Sequence, residues 1–161
     1  MRALRAIAAT ILLGPLVLML AAPDAQDRLV NRRDADRIFG LNRAQWEAEA
    51  QQFVPPQGWS VRLSPVATGT GVIAMDLTTG MGLGIQPLFR NVQGPPEMLV
   101  VGSYYPAGTF RQFNEQVKRD MEAATSTDLG QPYSVNVTFT SVISPPPGFD
   151  VIEVIITRGK R

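Results

Sequence analysis

The sequence predicts an α+β fold: a mainly antiparallel sheet of five to six strands, with one long amphipathic helix and an N-terminal helix packed on one face. Segments within residues 59–157 show period-two alternation or short dense apolar runs, the patterns of strands buried on one or both faces. Residues 42–53 and 109–128 instead place apolar side chains at steps of three and four, the helical period. The connections read as hairpin-length and cannot hold parallel crossovers. The expected order is therefore α-β-β-β-β-α-β-β.

The chain begins with Arg2 and Arg5, then an uncharged stretch over residues 6–22, then Pro23-Asp24-Ala25. That is the layout of a secretory signal peptide over residues 1–25. As a helix, residues 6–22 would rise about 26 Å, short of a hydrocarbon core of roughly 30 Å, and Gly14-Pro15 interrupts them. A cleaved leader is the first expectation and an uncleaved N-terminal membrane anchor the second. The protein is thus expected outside the cytoplasm, periplasmic or secreted, and the leader reads as bacterial. Residues 26–40 form a charged lead-in, residues 41–158 a single α+β domain, and residues 159–161 a tail.

Along the domain, Asn42 stands as an N-cap with Gln45 three residues on, the spacing of a capping box. Trp46, Ala50 and Phe53 then share a helix face, and Pro55-Pro56 stops it. Strands are expected at residues 59–63, 72–77, 81–85 and 98–105, with a turn at Thr78-Thr79-Gly80. In the third of these, glycine alternates with Met81, Leu83 and Ile85, which favours close approach of another backbone or a bulge. Thr109 with Gln112 repeats the capping-box spacing, and Phe110, Phe113, Val117, Met121 and Ala124 form the apolar stripe of the long helix. Residues 133–141 alternate cleanly. Residues 149–157 are apolar on both faces and so belong in a central or covered position.

Composition removes whole classes of chemistry. The 161 residues include no Cys and no His, so thiolate nucleophiles, disulfides, Fe–S clusters, His-based triads and imidazole metal ligands are all absent. Cleavage after Ala25 would remove Arg2, Arg5 and Asp24, taking 15 basic and 14 acidic residues to 13 and 13. A neutral domain with dispersed signs offers no electrostatic footprint for nucleic acid or anionic lipid. No metal site and no cofactor are expected. The only route to a membrane is an uncleaved leader.

Three motifs have plainer readings. Gly69-Thr70-Gly71-Val72-Ile73-Ala74 fits a dinucleotide fingerprint, but β-branched residues follow where a helix must begin, so a flexible hairpin turn is expected. Asp34-Ala35-Asp36 hints at a calcium loop, yet the loop's glycine and twelfth-position glutamate are out of place, leaving helix-surface charge. Asp120 and Glu122 sit two apart on a helix and point to different faces, which denies them a joint acid–base role.

One stretch invites a ligand. Tyr104 and Tyr105 end a strand, Gly108 gives backbone access, and the free N–H groups after Thr109 point outward beside Arg111. A helix N-terminus with Tyr and Arg suits a small anion. The plainer reading is a capped helix start with packed tyrosines. These features imply an exported, non-catalytic binding or protein-interaction module of the bacterial cell envelope, acting on another envelope protein or a small anionic ligand. The alternatives are a small envelope hydrolase using carboxylate or tyrosine chemistry, and a membrane-tethered accessory subunit.

Overall fold

The computed structural model describes residues 9–12, 17–20, 31–55, 57–108, 115–139 and 147–159. Two four-residue strands, β1 (Ala9–Leu12) and β2 (Val17–Leu20), pair antiparallel as a sheet of their own. The main sheet has six strands: β3 (Trp59–Val66), β4 (Gly69–Asp76), β5 (Gly82–Leu88), β6 (Met98–Pro106), β7 (Tyr133–Thr138) and β8 (Phe149–Arg158). Three helices accompany it: α1 (Arg32–Ile38), α2 (Arg43–Gln51) and α3 (Glu115–Leu129). The mixed α+β class and the antiparallel six-stranded sheet match the sequence expectation.

The strands lie in the order β3-β4-β5-β6-β8-β7, and every neighbouring pair is antiparallel. Strands β3 to β6 form a meander. The chain then passes through α3 and returns as β7 at the far edge, and β8 fills the gap. Since β6 and β7 both run antiparallel to β8, they run parallel to each other, so one connection is a crossover where only hairpins were expected. Burial explains the order. Residues 151–154 of β8 are buried in succession, which suits an interior slot, whereas β7 exposes Ser134 and Asn136 and tolerates an edge.

Helix α2 starts as its sequence predicts. Asn42 Oδ1 accepts from Gln45 N–H, and Gln45 Oε1 accepts from Asn42 N–H, both at 2.9 Å. Helix α1 arises within the charged lead-in, with the Asn31 side chain accepting from Asp34 N–H. Asp34 is buried beside Ala35 and Ile38 rather than placed on the surface, because it falls on the same stripe as those two residues. Arg37 joins α1 to α2 through both Glu49 carboxylate oxygens, at 2.9 and 2.8 Å.

Helix α3 is turned relative to the expected stripe. Steps of four from Val117 lead through Met121 to buried Thr125 and Leu129, leaving Ala124 exposed. Phe110 and Phe113 lie outside the described residues. Glu122, expected on the surface, is half-buried, and its carboxylate accepts the Val137 N–H of β7 at 2.9 Å. At the far end, Arg32 Nη1 donates to the carbonyls of Leu129 and Gln131, satisfying the end of α3.

Register separates the two sides of the main sheet. Leu63, Val72, Ile85, Val101, Val154 and Val137 form a continuous cross-strand row on one side. That row belongs to the larger apolar cluster, which also contains Ala35 and Ile38 of α1, Trp46 and Ala50 of α2, and Leu129 of α3. One residue along, Arg62, Ile73, Gly84, Gly102, Glu153 and Thr138 form the matching row on the other side. The cluster on that side joins Ile73, Tyr104 and Val151, with Met75 and Phe149 packed against them.

Candidate functional site

Tyr104 and Tyr105 are adjacent in β6 and therefore project to opposite sides of the sheet. Tyr105 joins the larger cluster and Tyr104 the smaller. They cannot line one patch together. Gly108 is exposed at φ +79°, and its N–H donates to Asp150 Oδ2 at 2.9 Å. That bond places a carboxylate where an anion was expected, which disfavours a second negative group at Gly108. Thr109 and Arg111 lie outside the described residues, so of the expected patch Tyr104, Tyr105 and Gly108 have described positions and Tyr105 turns away.

Tyr104 leads to a different site. Its ring lies across two glycines in neighbouring strands. A Cβ on Gly84 would fall 2.7 Å from Tyr104 Cε2 and 2.8 Å from the hydroxyl oxygen, and a Cβ on Gly102 would fall 3.4 Å from that oxygen. The two glycines face each other in the β5–β6 register, forming the floor on which the ring rests. A small cleft opens beside it, lined by Ser64, Gly71, Ile73, Gly84, Gln86 and Tyr104. Ser64 pairs with Gly71 across β3 and β4.

This side of the sheet carries buried polar groups. Gln86 and Tyr104 are each 2% exposed and Glu153 is 0% exposed. Burial, with the Glu153 charge adding to it and Arg62 opposing, pushes the Tyr104 hydroxyl up to about 12. The phenol is therefore neutral throughout the physiological range, with about one molecule in 100,000 ionised at pH 7. A neutral phenol donates and accepts hydrogen bonds but makes a poor base or nucleophile.

A second polar cluster lies between α1 and β7. The Tyr133 hydroxyl donates to Asp36 Oδ1 at 2.5 Å, and Arg32 lies over the Tyr133 ring, 5.2 Å from its centre. Tyr133 holds the Asp36 carboxyl below its ordinary range, and burial with that same bond raises the tyrosine to about 12. Here each polar atom serves a neighbour that joins two elements, which marks a structural clasp. Asp34, on the inner side of α1, has its carboxyl pushed up by burial.

The GxGxxA stretch opens β4 rather than a turn, and a strand continues through Ala74 where a dinucleotide site needs a helix. Gly69 sits at φ +148°, and a Cβ there would fall 2.6 Å from the Pro87 carbonyl oxygen, which accounts for the first glycine without a cofactor. Among the described residues no group of three acidic side chains could hold a metal ion, and no helix is long and apolar enough to cross a membrane. Gln86 and Glu153 were missed in the sequence. Both carried a signal: Gln86 continues the register of Gly82 and Gly84, and Glu153 is the lone acid between Ile152 and Val154.

Comparison with models of known protein families, with curated proteins and with solved structures finds no match.

Proposed function

We propose that this protein is an exported, non-catalytic binding module of the bacterial cell envelope, with α1, α2 and α3 covering one sheet face and the opposite face carrying recognition. The N-terminal Arg2, Arg5 and the apolar run over residues 6–22 support export. One observation carries the binding reading: Gln86 and Tyr104 are buried on the side of the sheet whose cluster contains, among the described residues, no helix residue. A face that needs only packing is filled by branched aliphatic side chains, because buried polar groups cost stability unless they are satisfied. Glycine flooring and clustered polar groups suit a surface that meets something with hydrogen-bonding groups of its own.

The partner favoured by this chemistry is a small polar ligand or a polar patch of another envelope protein. The neutral Tyr104 phenol favours hydrogen bonding over hydrolysis by tyrosinate. Photo-crosslinking in the producing cell tests the reading, with the reactive residue placed at Arg62, exposed on the proposed face, or at Glu115, exposed on α3. Adducts are expected from position 62 and not from position 115, in the envelope fraction. Adducts from position 115 alone, or a wholly cytosolic protein retaining Met1, would overturn it.

A further inference from the structure

The Gln86 amide is satisfied at one end only. Its Nε2 donates to the Gly69 carbonyl at 3.1 Å, while Oε1 is buried and accepts from no protein group. Exchanging the two ends does not help, since it would set the amide oxygen against the Gly69 oxygen, acceptor against acceptor. A buried carbonyl oxygen without a donor is costly, and native proteins almost always supply one. The position of Oε1 is also guarded by sequence: a Cβ on Gly71 would fall 2.9 Å from it, so glycine keeps the approach clear.

Gln86 lines a cleft together with Ser64, Gly71, Gly84 and Tyr104, and the cleft has room for one water-sized group. Ser64 and Tyr104 bring hydroxyls, each able to donate or accept. None of these lining side chains is charged. We propose that this cleft is a binding site for a single neutral hydrogen-bond donor, a water in the free protein and a hydroxyl or amide N–H of a bound ligand. Gln86 Oε1 is the obligatory acceptor. An anion is repelled by the Oε1 lone pairs, and an ammonium group finds no carboxylate among the described lining residues to neutralise it. The inference rests on the proposed recognition face and names the chemistry that face accepts.

The test uses the full purified chain. A crystal structure at atomic resolution is expected to show an ordered water within about 3.2 Å of Gln86 Oε1, and NMR is expected to show a long-lived water exchanging magnetisation with the Gln86 side-chain amide and the Gly71 N–H. Titration with urea and with ethylene glycol should shift those resonances, whereas formate should leave them in place. Gln86→Met and Gly71→Ala should each abolish the water signal while amide shifts elsewhere stay close to wild type. Should either variant fail to fold, the wild-type water and the three titrations decide alone. No water at Oε1 together with no response to urea or ethylene glycol overturns the site, as does an equal response to formate. The crosslinking result is independent: adducts at position 62 without this water would sink the donor site and leave the recognition face standing.

Discussion

On one side of the main sheet, the buried row runs Leu63, Val72, Ile85, Val101, Val154 and Val137, and the helix residues it meets include Ala35, Ile38, Trp46 and Ala50. The Trp46 indole N–H there donates to the Thr70 carbonyl at 2.6 Å, and the buried Asp34 Oδ2 on the inner side of α1 has no hydrogen-bond partner. On the other side, the equivalent row replaces aliphatics with Gly84, Gly102 and Glu153, and the hydroxyl end of the Tyr104 ring sits against the glycines. The first side is organised by volume, so its tolerance is set by how much space a substitution leaves. The second is organised by contact between backbone and one ring, so its tolerance is set by how much a substitution adds. The same strands obey two packing rules one residue apart.

The contrast can be broken most forcefully at Trp46, which is 0% exposed. Trp46→Ala should cost about 3–5 kcal/mol by urea denaturation, the range for emptying a large core site. A loss near zero would mean that α2 contributes little to the core. The next effect is read by pH. Tyr104 ionises near 10 when unfolded and at about 12 when folded. A raised pKa means the folded state holds its proton more tightly, so this contribution is complete below pH 10 and is lost as pH climbs toward 12, amounting to about 3 kcal/mol. Tyrosinate absorbance rising near pH 10 in the folded protein would show that Tyr104 is open to solvent.

Gly84→Ala sharpens the comparison from the other side. The new methyl must move Tyr104 and should cost about 1–3 kcal/mol, as overpacking does. In a Tyr104→Ala background the same change should be nearly silent, giving a coupling energy of at least about 1 kcal/mol in a double-mutant cycle. Additive effects would show that the ring does not rest on Gly84. Glu122→Gln should cost about 0.5–1.5 kcal/mol, since the acceptor for Val137 N–H survives while its charge does not. Arg90→Ala breaks a pair whose side chains are 83% and 52% exposed, so thermal unfolding should register less than about 0.5 kcal/mol.

Much of this architecture is written in local periodicity. Strands β3 to β8 and helix α2 follow from alternation and from the Asn42–Gln45 box, because each is decided by residues within one or two turns or pleats of one another. The crossover through α3 was not legible in the same way. It depends on which of β7 and β8 occupies the interior slot, a competition between segments that no single window contains. The burial of Asp34 and the half-burial of Glu122 were hidden for a related reason: a charge is read as solvent-facing until the element it meets is known. The polar side of the sheet was visible in part. Alternating glycines in β5 announced a close approach, and Tyr104 supplies it, but the partner strand that delivers a ring to a glycine is set by register rather than by composition. Gln86 passed unnoticed because the alternation was read as ending at Ile85.

The bond from Glu122 to the Val137 N–H occupies a group that β7, as the last strand of the sheet, would otherwise turn outward. At the opposite end stands β3, where Pro65 falls near the end of the strand. Each margin thus carries a residue that gives an added strand no N–H: Pro65 has none, and that of Val137 is already taken.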